Sequence, residues 1–217
     1  MMNVVVTWGP SFEPIDEVRR LTNFSTGQLG VMLAETLATA GFSVTCLKGS
    51  MATHPGPAAP CQVELFDTND DLLQRLRRLA GSQTIGALFH VAALCDYRVK
   101  EVQDEAGRVC HSPKLASRSG ALTLSLEPAT KVIAQLRDLF PRSRLVGWKY
   151  ELAGDFEQAM ARAQRLLIEC RTDACVLNGR AYGPGFAFCR PGQPAQPCAD
   201  KGELVRLLAQ WLAGEAR

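Results

Sequence analysis

TWGPSFEPIDEVRRLTNFSTGQLG, residues 7–30, carries the chain from a first strand, Asn3 to Trp8, through a long polar loop to a helix that begins only after Gly27. Strand-to-helix connections in compact α/β domains usually take about two to six residues, so a much longer one near the N-terminus marks a functional loop. Strand-like runs at 3–8, 43–48, 62–66, 87–93, 144–148 and 174–178 alternate with helical patterns at 28–40, 69–80, 129–139, 155–170 and 200–213. The runs VVV, ALFHVAAL and ACVL lack period-two alternation, as expected of central strands covered on both faces. The expected fold is α/β: a Rossmann-like, doubly wound, mostly parallel sheet with helices on both faces, forming a single domain over residues 1–217.

Two stretches interrupt the series. Residues 92–119 form a second polar excursion after a central strand, and 97–119 read as a mobile flap. Residues 183–198, rich in Gly and Pro, read as a turn or short hairpin lying over the sheet edge.

Composition narrows the function. The 217 residues are 47% hydrophobic, enough for a sizeable core, and 24 basic against 22 acidic residues leave a charge of +2. That near balance argues against a nucleic-acid or polybasic membrane partner. No apolar run reaches the roughly 18 residues of a membrane span, and residues 2–8 lack the form of a signal peptide, so a cytoplasmic location is expected. The eight cysteines show neither CxxC pairs nor zinc spacing, so reduced thiols are expected, with Cys46, Cys95 and Cys175 in the core.

Ligands of open α/β sheets bind beyond the carboxyl ends of the strands, so the segments after Trp8, Lys48, Ala93, Trp148 and Asn178 should converge on one crevice. Ser25, Thr26 and Gly27 at a helix start allow close approach of a phosphate, although Ser25 or Thr26 as a simple cap explains the segment equally well. Neither GxxxxGK[ST] nor GxGxxG occurs, and Lys48-Gly49-Ser50 stand where a dinucleotide-binding strand ends in an acidic residue. An NAD(P)-dependent oxidoreductase is thereby disfavoured.

The run GPSFEPIDEVRRLTNFSTGQLG resembles the signature of the phosphopantothenoylcysteine synthetase (phosphopantothenate-cysteine ligase) family, close to GxTxEPIDxVRxITNxSSGxxG. AALCDYR at 92–98 is similar to AAVADYR, Pro-Lys-Leu at 113–115 to the start of the family's lysine flap, and VGW at 146–148 to VGF. The resemblance implies amide formation between 4′-phosphopantothenate and cysteine in coenzyme A biosynthesis, by way of an acyl nucleotide made from CTP or ATP with Mg²⁺. It also implies a free-standing ligase without the flavin-dependent decarboxylase partner, and a homodimer.

Carried over by position, Asn23 handles the acyl nucleotide, Arg19 meets carboxylate or phosphate oxygens, and Lys114 neutralises the leaving pyrophosphate. The nucleotide is expected against Gly9, Ser25, Thr26, Gly27, Ala92, Ala93, Asp96, Gly147, Trp148 and Lys149, and no metal ligand is identified. Plain readings stand beside these: Asp96 as a turn cap, Lys114 as a solvated lysine, Trp148 as a core aromatic. Arg19, beside Asn23 in a Gly-flanked loop, shows no packing role. The later flap lysines are absent, with Arg118 a partial stand-in, and Lys149-Tyr150 replace two alanines beside the base. A binding protein of weakened catalysis, or a ligase of altered substrate, is the alternative.

Overall fold

The computed structural model describes residues 1–116 and 120–215. An eight-stranded sheet runs in the order β12-β11-β10-β9-β6-β1-β4-β5. Its parallel strands are β1 (Asn3–Trp8), β4 (Ser43–Gly49), β5 (Gln62–Phe66), β6 (Ala87–His90), β9 (Arg144–Tyr150) and β10 (Ala174–Gly179). The chain winds outward from β1 through β4 and β5, then returns to the other side of β1 with β6. This reversal opens a crevice at the carboxyl ends of β1 and β6.

The apolar runs explain the two layers. Along β1, Val4, Val6 and Trp8 point to one face, where α1 (Gln28–Thr39) and α5 (Lys201–Glu215) pack, while Val5 points to α2 (Asn69–Ser82) and α3 (Leu136–Leu139). The helix α4 (Phe156–Glu169) covers β10 through Ala159, Ala163 and Leu167. On α2, Leu72, Leu73, Leu76 and Leu79 are buried, and Thr68 caps the helix by accepting from the Asp71 amide. Cys46, Cys95 and Cys175 are buried, as expected, and all eight cysteines are free.

The start of α1 is set by Trp8. Gly27 occupies the N-cap with φ of 85°, and a Cβ there would lie 2.5 Å from Trp8 Cε3. Gly30 is tighter, because its Cβ would fall 2.2 Å from Trp8 Cβ. The two glycines let the helix backbone rest against the indole.

Three expectations need correction, and the excursion after β6 gains a defined form. The loop of 7–30 is not irregular throughout, since β2 (Phe12–Pro14) and β3 (Arg20–Thr22) pair antiparallel within it. The excursion after β6 is an antiparallel arm of β7 (Tyr97–Gln103) and β8 (Thr123–Pro128); of the expected flap, residues 117–119, Arg118 included, lie outside the described residues. Residues 129–139 are not one helix: 129–131 still leave β8, with the Ala129 amide bonded to the Asp96 carbonyl at 2.9 Å. Only a 3₁₀ turn at Val132–Gln135 and the single turn of α3 follow. Finally, β11 (Gly183–Cys189) and β12 (Gln196–Cys198) join the sheet itself rather than lying over its edge. Phe186 and Phe188 feed the α5 layer while Ala187 and Cys189 feed the α4 layer, so both faces of β11 bury apolar groups.

A polar link ties β1 to β6. The Thr7 hydroxyl lies 2.9 Å from His90 Nδ1 and also accepts from the Ala92 amide at 3.4 Å, so its proton is free to go to the imidazole. Burial lowers the His90 pKa from 6.5 to about 4, keeping the ring neutral.

Replacing Gly30 by Ala should lower the unfolding free energy by about 1–3 kcal/mol, read from urea denaturation, because the added methyl overpacks Trp8. Unfolded chains bind a proton at His90 that the folded protein refuses, so stability should fall as pH drops from 6.5 towards 4. The urea midpoint of His90→Gln should lose that part of the decline.

Candidate active site

The loops after β1 and β6 are stitched together before any ligand is considered. Pro10 pairs with Ala93 in an isolated parallel bridge, and the Ala93 amide donates to the Gly9 carbonyl at 3.0 Å. The buried Ser11 hydroxyl accepts from the Cys95 amide at 2.8 Å. Asn23 closes the seam: its Nδ2 donates to the carbonyls of Leu94 at 2.8 Å and Ala93 at 3.4 Å. Thus Asn23, Ala93 and Gly9 meet, as the sequence suggests, while Gly147 lies beneath Leu166 and Ile133, where it leaves room for helix packing.

A cavity of about 570 Å³ opens on the α4 side of this seam. Of the residues expected against the nucleotide, Ala92, Asp96, Trp148 and Lys149 line it. Lys131, Arg162 and Arg165 line it too, and sequence reasoning missed them. Arg162 and Arg165 sit inside an ordinary amphipathic helix pattern; the available signal was their three-residue spacing on the helix following the strand that ends beyond Trp148.

The basic charge is arranged unequally. Glu151, buried at 8% exposure, bonds Lys149 Nζ at 3.1 Å and also pairs with the Arg162 guanidinium. Burial alone would raise the Glu151 pKa, but the hydrogen bonds from Arg162 and Lys149 hold it below the ordinary value. Lys149 and Arg162 are therefore part-neutralised, whereas Lys131 and Arg165 have no ion-pair partner among the described residues. The cavity wall carries net positive charge suited to a polyanion.

A second cavity, of about 320 Å³, lies at the N-terminus of α1, on the face of the sheet covered by α1 and α5. Gly9, Ser25, Thr26 and Gly27 line it, together with Tyr150, Asn178 and Lys201. Gly27 offers no side-chain cap, and Thr26 Oγ1 accepts from the Gln28 amide at 3.3 Å. Lys201, at the first position of α5, places Nζ 2.6 Å from Gln28 Oε1. A lysine and a helix N-terminus thus share one opening. Trp148 borders both cavities, so the loops expected to converge on one crevice line two compartments.

Arg19, Asn23 and Lys114, the three residues expected to act in catalysis, line neither cavity. Arg19 does have a packing role, contrary to its sequence reading: Nη1 pairs with Asp16 at 2.5 Å and Nη2 donates to the Leu115 carbonyl at 3.1 Å. Asp16 also accepts from the amides of Val18, Arg19 and Leu115. Burial opposes its ionisation, yet these backbone donors and Arg19 bring its pKa to about 2. The Glu17 amide bonds the Pro113 carbonyl at 2.9 Å, so the β2–β3 turn grips the segment that carries Lys114.

Among the described residues, no group of three or more His, Cys, Asp or Glu side chains could hold a metal ion, and no helix is long and apolar enough to cross a membrane.

The fold has known counterparts. Coenzyme A biosynthesis bifunctional protein CoaBC from Thermococcus kodakarensis is 29% identical over 182 residues, covering 83% of this chain and 42% of that protein. The CoaBC of Escherichia coli K12 is also 29% identical, over 79% of this chain and 41% of its own length. The chain thus spans less than half the length of these relatives. Among solved structures, a DNA/pantothenate metabolism flavoprotein from Streptococcus pneumoniae superposes with a TM-score of 0.88 at 24% identity, covering 99% of this chain and 100% of that one. A Cab2 variant in complex with phosphopantothenate-cysteine superposes at 0.74 and 17% identity, over 99% of this chain and 88% of that one. The family model for the DNA/pantothenate metabolism flavoprotein C-terminal domain matches residues 1–190, and the chain belongs to that family.

Proposed function

We propose that this domain joins 4′-phosphopantothenate to cysteine in coenzyme A biosynthesis, using CTP or ATP to form an acyl nucleotide. The observation that carries this reading is the pair of basic compartments meeting at Trp148 beside Asn23. Relatives bearing the CoaBC name and a neighbour bound to phosphopantothenate-cysteine support the same chemistry.

The larger cavity takes the nucleotide. Arg162, Arg165, Lys131 and Lys149 face its phosphates, which offsets the absence of the later flap lysines. The smaller cavity takes the phosphate of the pantothenate ester against Lys201 and the first turn of α1. A substrate carboxylate oxygen then attacks the α-phosphorus, and the bond to pyrophosphate breaks. In the second half-reaction the cysteine amine attacks the acyl carbon, loses a proton, and releases the nucleoside monophosphate. Asn23, its Nδ2 given to the Leu94 and Ala93 carbonyls, fixes the loops after β1 and β6 that bring the reacting ends together.

Mg²⁺ enters with the triphosphate. Such an ion usually needs only one or two protein carboxylates besides phosphate and water, and Asp96 and Glu169 line the cavity. Bound there, it would neutralise phosphate charge. The expected homodimer belongs to this proposal, and light scattering in solution tests it.

Lys114 outside both cavities favours one second reading: a protein that binds these ligands without turnover, as Arg19 and Asp16 restrain the flap. Incubation with phosphopantothenate, cysteine, Mg²⁺ and either CTP or ATP separates the two. Pyrophosphate release with at least one nucleotide is expected. Ligand binding with no release would favour the second reading.

Arg165→Ala should raise KM for the nucleotide by about ten-fold with little change in kcat, since a charge-assisted contact of roughly 1.5–3 kcal/mol is lost. Asn23→Ala should instead lower kcat by about a hundred-fold, of the order expected when loosened loops misplace the reacting groups.

A further inference from the structure

His90 ends β6 at the carboxyl edge of the sheet, on the same face as Leu88 and the α2 layer, and it lines the larger cavity. The residue is 7% exposed, and its Nδ1 is taken by the Thr7 hydroxyl at 2.9 Å. Thr7 Oγ1 already accepts from the Ala92 amide, so its proton goes to Nδ1, and a neutral imidazole must then carry its own proton on Nε2. Among the described residues Nε2 has no hydrogen-bond partner. The indole nitrogens of Trp8 and Trp148 are unpartnered too, but they are sealed inside the fold, whereas Nε2 keeps surface toward the cavity.

The cavity is graded from its inner wall to its mouth. Val132 and Ile133 line it as buried residues and Leu166 as a half-buried one, whereas Lys131 and Arg165 are exposed. An N–H donor thus stands on an apolar wall while the cations lie farther out. Burial lowers the His90 pKa to about 4, so that donor is uncharged at neutral pH. Phosphates are met by the cations at the mouth; an uncharged donor on an apolar wall suits an uncharged acceptor, the carbonyl oxygen or ring nitrogen of a heterocycle. A donor left unpaired is costly, and a ligand acceptor that completes it binds more tightly.

We infer that His90 is a further nucleotide-binding residue, donating Nε2–H to an acceptor atom of the nucleobase while the phosphates stay with the exposed cations. This rests on the assignment of the larger cavity to the nucleotide. Cytosine offers its ring carbonyl and N3, and adenine its ring nitrogens, so either base can complete the bond. Thr7 is a positioning residue, because its hydroxyl holds the imidazole in the tautomer that donates to the cavity. A histidine that only tied β6 to β1 would leave the base unread. The two roles separate by which part of the ligand feels a substitution.

Calorimetric titration of the whole chain, with Mg²⁺ present, against CTP, ATP and inorganic tripolyphosphate tests the inference. His90→Asn keeps an acceptor for Thr7 but ends short of the cavity; it should weaken whichever nucleotide is accepted by about ten-fold and leave tripolyphosphate unchanged. His90→Gln, which reaches as far as Nε2 and carries an N–H, should recover most of that loss. Should the asparagine variant not fold, nitrogen-15 NMR of histidine-labelled wild-type protein reads the same contact. It should show a protonated Nε2 and a bare Nδ1 at His90, with the Nε2 signal moving on addition of nucleotide but not of tripolyphosphate. Unchanged nucleotide affinity in folded His90→Asn, an equal loss for tripolyphosphate, or an Nε2 signal indifferent to bound nucleotide overturns the inference. Binding of neither nucleotide overturns the cavity assignment and this inference together, whereas nucleotide binding that ignores His90 removes this inference alone.

Discussion

The seam between the loops after β1 and β6 is the constraint on which the site depends. Parallel strands direct every carboxyl end to one edge, but that alone leaves two long polar loops free to wander. Ser11, without solvent exposure, takes the Cys95 amide, and Asn23 takes the carbonyls of Ala93 and Leu94. These bonds satisfy backbone groups that would otherwise be buried without partners, so the loops have one arrangement rather than many. Asn69 extends the seam by holding Cys95 against Thr130, which brings the arm of β7 and β8 into the cavity wall. Remove the seam and neither compartment has fixed walls.

Charge follows from that geometry. The triad of Lys149, Glu151 and Arg162 keeps two cations beside the cavity in a hydrogen-bonded frame, at the expense of part of their charge. Lys131 and Arg165 remain to meet an incoming polyanion. Two compartments that share Trp148 on their borders suit the proposed reaction, whose two anionic substrates would occupy separate basic spaces and yet bring their reacting ends together. Mutual repulsion between phosphates is one barrier to an acyl-activating reaction, and separation with a shared boundary answers it.

Much of this was legible in the residues, for identifiable reasons. The boundaries of β1 and β5 follow directly from VVV and QVELF, because buried central strands and short polar-flanked runs leave clear marks. The Gly-Pro segment read as a turn or short hairpin over the sheet edge; β11 and β12 do pair antiparallel, but the glycines masked a FAFC run that packs on both faces and joins the sheet. The supposed helix at 129–139 failed because tertiary bonds from Asp96 and Asn69 hold its first residues out of helical form. Within the site, Asn23, Asp96 and Trp148 stood out by motif, while Arg162 and Arg165 did not, as a helix's exposed arginines look alike until the cavity is known. Arg19 showed the reverse error. A guanidinium in a polar loop suggests a ligand, but its partners Asp16 and Leu115 are separated by 99 residues and only folding brings them together.

The central claim is that the two compartments activate a carboxylate as an acyl nucleotide before any amine arrives. Isotope exchange between labelled pyrophosphate and the nucleoside triphosphate, in the presence of phosphopantothenate and Mg²⁺ but without cysteine, measures that step alone. The account predicts exchange with CTP or ATP that depends on phosphopantothenate. Exchange with neither nucleotide, in a folded protein that binds both ligands, would contradict it.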